Sequence, residues 1–148
     1  MEQAKIRIII ADDHQLVREA WKLILEQDSR FSVVAECANG AEAIRAAAKT
    51  PVDVILMDIS MHPVNGFEAT RKILKQTPSA KIIGISVNDQ PSYARNILQL
   101  GARGFVTKDS PKEEMIRAII TVYNGGRFIS QDVRRKMHPD DNGTTPTT

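Results

Sequence analysis

Short β-branched runs and longer segments of helical spacing alternate along this chain. Nearly continuous apolar runs occupy residues 6–11, 32–38, 52–57, 81–86 and 104–107. Runs of this kind fit strands buried on both faces, as in a parallel sheet. Between them, apolar residues recur three and four positions apart, the spacing of one helix face. Leu16, Ala20, Leu23 and Ile24 mark a first helix, and Ala41, Ile44, Ala47 and Ala48 a second. Phe67, Ile73 and Leu74 mark a third, Tyr93, Ile97 and Leu98 a fourth, and Met115, Ile116, Ile119 and Ile120 a fifth. Five strands alternating with five helices predict an α/β domain with a parallel sheet and right-handed crossovers.

Local signals refine the boundaries. Ser110-Pro111-Lys112-Glu113 predicts a capping box, with proline at the first helical position. Gly125-Gly126 stops that helix, and Gly101 stops the one before the fifth strand. The polar run Pro139-Asp140-Asp141-Asn142-Gly143 and the Thr-rich end hold almost no apolar residue. The expected division is therefore a folded domain over residues 1–130 and a linker or disordered tail over 131–148.

Composition narrows the class without naming a function. A chain of 148 residues is long enough for one sizeable core. With 42% hydrophobic and 26% charged residues it reads as a globular domain, and its apolar runs are too short to span a bilayer. The apolar stretch near the N-terminus meets Asp12 and Asp13 with no small-residue cleavage site, so no signal peptide is read and a cytoplasmic location is expected. Cys37 is the sole cysteine, which rules out an internal disulfide. Its neighbours Val33, Val34 and Ala35 predict a buried, inert thiol. A net charge of +2 supplies no concentrated basic face for nucleic acid, and Arg134, Arg135 and Lys136 read as a solvated helix end.

The chemistry gathers where the strands end. In a parallel α/β sheet the ligand site lies at the carboxyl ends of the strands. The first strand ends in Asp12-Asp13, the third in Asp58, the fourth in Ser86, and the fifth near Lys108. Singly, these are a helix cap, turn residues and a surface lysine. Together they are complementary. Three crowded carboxylates require a cation, and an all-oxygen donor set suits a hard ion such as Mg²⁺. Asp13 and Asp58 are expected as direct ligands, Asp12 through water, with a backbone carbonyl from Ser60. A carboxylate also serves as nucleophile toward phosphorus, and phosphoryl transfer demands mainly positioning and charge neutralisation. Lys108 supplies a second positive charge and the Ser86 hydroxyl a hydrogen-bond donor.

The segments Ile-Ile-Ala-Asp-Asp-His (9–14), Met-Asp-Ile-Ser-Met (57–61), Asn-Gly-Phe-Glu-Ala-Thr-Arg-Lys-Ile (65–73) and Gly-Ala-Arg-Gly-Phe-Val-Thr-Lys-Asp-Ser (101–110), with Ser86 between them, carry a family resemblance. Over roughly residues 5–130 the chain resembles the receiver domains of two-component response regulators. Ala-Asp-Asp-His, Asp-Ile-Ser-Met and Gly-Gly-Arg-Phe-Ile-Ser are similar to the NarL/FixJ subfamily, whose members carry a LuxR-type helix-turn-helix domain after a linker. The resemblance implies a doubly wound, flavodoxin-like (CheY-like) sheet of five strands in the order 2-1-3-4-5. It implies Mg²⁺-dependent transfer of a phosphoryl group from a sensor histidine kinase to Asp58, with Lys108 and Ser86 assisting. It also implies a switch in which Ser86 follows the phosphoryl group while an aromatic on the fifth strand, here Phe105, turns inward. Homodimerisation is a family expectation, and DNA is expected to bind only through a C-terminal domain outside this chain. A single-domain regulator is the alternative.

Departures from the family pattern are specific. Phe105 lacks a phenol, so any coupling to Ser86 must be by packing. His62 stands where the family has proline, with Pro63 one residue later, and His62 is expected to be an exposed loop residue. Asp109 rather than proline follows Lys108, so no cis peptide is expected there. His14 reads as a helix-start residue, and Trp21 and the methionines as packing. Among rivals, a dinucleotide binder would need G-x-G-x-x-G after the first strand, where Asp-Asp-His stands. A haloacid-dehalogenase-like phosphatase would need Asp-x-Asp there. A phosphorylation-independent interaction module stays open because of the His62-Pro63 turn.

Overall fold

The computed structural model describes residues 4–137. Strand and helix alternate as β1 (Ile6–Ala11), α1 (Gln15–Glu26), β2 (Phe31–Cys37), α2 (Gly40–Lys49), β3 (Val54–Asp58), α3 (Gly66–Gln76), β4 (Ile82–Ser86), α4 (Pro91–Gln99), β5 (Gly104–Thr107), α5 (Lys112–Tyr123), β6 (Phe128–Ile129) and α6 (Gln131–Arg134). The sheet is parallel throughout, in the order β2-β1-β3-β4-β5-β6. Among the described residues no helix is long and apolar enough to cross a membrane.

Side-chain parity explains the unbroken apolar runs. In β1, Ile8 and Ile10 face one core with Leu25, Leu56, Ile83 and Ile119, beneath α1 and α5. Ile9 and Ala11 face the other with Met57, Ile73, Ile97 and Phe105, beneath α2, α3 and α4. Both faces exclude water, so alternation has no physical basis in these strands.

Several expectations need correction. The sheet has a sixth strand, which two residues cannot announce by periodicity. The spacing in the first helix marked the wrong face: Leu16 and Leu23 are 82% and 69% exposed, while Leu25 is buried and Trp21 packs on the core. The capping box at Ser110 does not form. Pro111 is the N-cap residue, no side chain caps α5, and the Ser110 hydroxyl pairs with Thr107 Oγ1 at 3.1 Å. The described structure also continues past the boundary expected at residue 130, because Gln131–Arg134 is helical and Val133 is fully buried. The polar tail expected from Pro139 onward lies outside the described residues.

Other readings hold. Gly101 and Gly125 adopt φ of 113° and 93° after α4 and α5, values open to glycine without strain. Cys37 is buried, and burial pushes its thiol up to about 11. Met57, Met61 and Met115 are core residues.

Candidate functional site

The carboxyl ends of β1, β3, β4 and β5 converge on one edge. Parallel register sets this: Ala11 pairs with Met57, Asp58 with Ile85, and Ser86 with Thr107. Each strand then delivers its last or next residue to the same rim, so Asp12, Asp58, Ser86 and Lys108 meet although 96 positions separate the outermost pair.

At the centre lies Lys108. Its ammonium is 3.0 Å from Asp58 Oδ2 and 3.1 Å from Asp12 Oδ2, and the three side chains are only 10%, 1% and 6% exposed. Burial lowers the Lys108 pKa, but hydrogen bonds and charge from Asp58 and Asp12 outweigh it and hold the group above its usual value. Burial also lifts Asp12 above the usual carboxylate range. The His14 N–H and Lys108 pull downward without overcoming it, while the charge of Asp58 adds to the rise.

The loops hold these groups through their own backbone. Ser60 N–H donates to Asp58 Oδ1 at 3.0 Å. His14 N–H donates to Asp12 Oδ1 at 2.8 Å, so Asp12 rather than Asp13 ties the chain entering α1. Asp13 is left with its side chain 29% exposed beside the acid pair. Asn88 N–H donates to the fully buried Ser86 Oγ at 2.9 Å, which closes the turn after β4. Phe105 is fully buried, one position away in β5 from Val106, which pairs with Ile85.

Sequence reasoning passed over two participants. His14 is the N-cap residue of α1, as its helix-start reading expected, but its ring also faces the site. Nδ1 lies 3.1 Å from Lys108 Nζ and 3.2 Å from Asp12 Oδ1 and Asp13 Oδ1. It accepts from Lys108 in one tautomer and donates to a carboxylate in the other. Gly66 is the second. A Cβ there would strike the Asp58 carbonyl and lie 2.5 Å from Ile59 Cα, so only glycine lets α3 start this close to the strand end. Asn65, whose side chain accepts from Glu68 N–H at 2.9 Å, caps that helix. The Asn-Gly pair thus had a readable signal. Its contact partner did not. His62 is exposed as expected, and the His62-Pro63 peptide is cis; among the described residues no other cis bond occurs.

Carboxylate oxygens of Asp12, Asp13 and Asp58, with His14 nitrogen, all lie within 4.8 Å of one another. Three hard oxygen donors, two buried and the third, Asp13, open to solvent, fit a Mg²⁺ ion, which takes one or two carboxylates directly and keeps several waters.

The "Response regulator receiver domain" family matches residues 8–120. The chain belongs to this family. Its receiver is 39% identical to the transcriptional regulatory protein DegU of Brevibacillus brevis over 93% of this chain and 58% of that protein. It is 38% identical to the response regulator UvrY of Escherichia coli strain K12 over 89% of this chain and 61% of that protein. The chain thus spans about three fifths of the length of these curated relatives. A LuxR-family two-component response regulator from Aurantimonas sp. SI85-9A1 superposes on the receiver with a TM-score of 0.86 at 33% identity, covering 89% of this chain and 94% of that one. The isolated REC domain of RcsB from Salmonella enterica serovar Typhimurium, solved with the phosphomimetic BeF3-, gives 0.83 at 27% identity and covers 91% and 100%.

Proposed function

We propose that Asp58 is the phospho-acceptor of this receiver and takes its phosphoryl group from a phosphohistidine of a sensor histidine kinase. The observation that carries this reading is the Lys108 ammonium, held by two buried carboxylates and 3.0 Å from Asp58. A lysine so placed neutralises charge on an oxygen-rich group entering at Asp58. An Asp58 carboxylate oxygen forms the new P–O bond as the P–N bond breaks, and the imidazole leaves with the electron pair. The Ser60 N–H fixes the orientation of the attacking carboxylate. The Ser86 hydroxyl donates to a phosphoryl oxygen. Asp12, Asp13 and Asp58, with the Ser60 carbonyl, would hold Mg²⁺, which would add charge neutralisation at the phosphoryl oxygens.

On this reading the domain is a cytoplasmic switch rather than an enzyme with a separate substrate. It promotes only its own phosphorylation and dephosphorylation. Phosphorylation biases a two-state surface around α4 and β5, where the buried Phe105 couples to Ser86 by packing. DegU, by its name, is a transcriptional regulator, and in one solved structure two RcsB dimers are bound to two parallel DNAs. By analogy, the parent protein regulates transcription through a C-terminal LuxR-type domain, and a second copy of the chain is a partner in that regulation. Intact-protein mass spectrometry after incubation with acetyl phosphate and Mg²⁺ tests the chemistry. The expected result is one phosphate-sized gain, lost in Asp58→Asn and without magnesium. An equal gain in Asp58→Asn overturns the assignment.

A further inference from the structure

After α5 the chain turns back onto the sheet, and residue 136 is tied to the loop that follows Ser86. Phe128 N–H donates to Arg103 O at 3.1 Å and Ser130 N–H to Phe105 O at 2.9 Å, which fastens β6 along β5. Gln131 N–H donates to Glu114 Oε2 at 2.8 Å, which anchors the start of α6 on α5. Val133 is fully buried in the core layer that holds Ala94 and Ile97 of α4 and Phe105 of β5. Lys136 Nζ then reaches Asp89 Oδ2 at 2.9 Å, across to the connection between β4 and α4. Asp89 lies three residues beyond Ser86 in a loop held by two turn bonds. Asn88 N–H donates to Ser86 Oγ at 2.9 Å, and Gln90 N–H to Asn88 Oδ1 at 2.8 Å. One continuous physical path therefore runs from the Ser86 hydroxyl to the chain at residue 136.

We propose that residues 128–137 form a phosphorylation-released strap, docked on α4 and β5 while Asp58 is unmodified and loosened when Ser86 turns to a phosphoryl group. The proposal rests on the functional reading above. Turning Ser86 Oγ toward Asp58 withdraws the acceptor from Asn88 N–H and opens the first turn of the loop. Asp89 moves with that loop, and α4, which starts at Pro91, follows. The Lys136–Asp89 pair is exposed, so it contributes little by itself. The larger effect comes through Val133, whose buried contacts with the α4 layer require α4 to stay in place. Movement of α4 removes one wall of the Val133 pocket, and release of the strap changes the direction in which residue 137 leaves the sheet edge.

Hydrogen exchange on the whole chain, with Mg²⁺ and acetyl phosphate, tests this. Intact mass on the same sample reports the phosphorylated fraction. The reporters are the Val133, Arg134, Arg135 and Lys136 amides, which donate to Ser130, Ser130, Gln131 and Val133 carbonyls. Several-fold faster exchange there in phosphorylated protein is the expected result. Unchanged or slower exchange in phosphorylated protein overturns the strap and leaves the receiver chemistry standing. Absence of a phosphate gain overturns both. Reciprocity supplies a second arm, since a ligand that weakens docking must bind better when docking is already weak. Lys136→Glu, which leaves the core untouched, is expected to bind beryllofluoride, a non-covalent phosphoryl mimic, up to about five-fold tighter by calorimetry. Val133→Ala is expected to exceed that. Equal or weaker binding by both variants, each folded, overturns the coupling.

Discussion

Replacing Lys108 with methionine keeps the aliphatic stem and removes the charge between Asp12 and Asp58. At an effective dielectric near 20, each of its two contacts of about 3 Å is a gross attraction of about 5 kcal/mol. Desolvating the three groups cancels much of this, so the intact triad contributes far less than the sum. Removing one member is costlier, because two carboxylates then stay buried without their cation, a loss of about 3–5 kcal/mol at such sites. Proton uptake sets a ceiling, since neutralising one ordinary carboxyl near pH 7 costs about 4 kcal/mol. The expected loss for Lys108→Met is thus about 3–4 kcal/mol in magnesium-free buffer near pH 7. Burial already raises Asp12, and without the lysine it rises further. A carboxyl whose folded pKa exceeds its unfolded value binds its proton more tightly in the folded state. Stability then falls as pH rises through that window and returns on acidification. The deficit is expected to shrink by roughly 1–3 kcal/mol between about pH 7 and about pH 5, and to shrink on adding Mg²⁺. Urea unfolding of both proteins, at both pH values and with EDTA or Mg²⁺, measures it. A deficit that stayed constant across all four conditions would refute the charge argument and leave Lys108 a packing residue.

Further outcomes follow from single contacts. Gly66→Ala is expected to lower stability by about 2–3 kcal/mol, because the added methyl meets the Asp58–Ile59 backbone, and to slow phosphorylation by acetyl phosphate; thermal melts with wild-type phosphorylation kinetics would disprove the close packing. Cys37, raised to about 11 by burial, is expected to resist iodoacetamide in the folded protein near neutral pH and to react freely in urea, as mass spectrometry would show. Asp28 is held at about 2 by Arg30, whose side chain and N–H both donate to it. A folded pKa below the unfolded one gives stability that is present above about pH 4 and lost as pH falls toward about 2. Asp28→Asn is therefore expected to cost about 1 kcal/mol at neutral pH, given the exposed Arg30, and progressively less as pH falls through about 2, read by urea melts along the acid limb.

Much of the receiver was legible because its signals are local or periodic. Five of the six strands were found from apolar runs, and the candidate site from acids, a serine and a lysine at run ends, since parallel topology sends every such end to one edge. Face assignment in α1 failed for a physical reason. Leu16, Ala20 and Leu23 have helical spacing, but spacing alone does not say which side meets the sheet, and Trp21 and Leu25 cover that side instead. The cap at Ser110 failed because Thr107, three residues earlier, competes for its hydroxyl.

The amino-acid sequence by itself determined the α/β class, the order of the first five strands and five helices, the buried Cys37 and the candidate set Asp12, Asp13, Asp58, Ser86 and Lys108 at the strand ends. These follow from hydrophobic periodicity, turn chemistry and charge type, which are written residue by residue. Only the tertiary structure decided that Lys108 bridges Asp12 and Asp58, that the His14 ring joins them, that Gly66 must be glycine, and that Val133 and Lys136 fasten the chain back onto α4 and its loop. Each of those rests on contacts between residues distant in the chain or on a clearance of a few ångströms, and neither leaves a mark on local pattern.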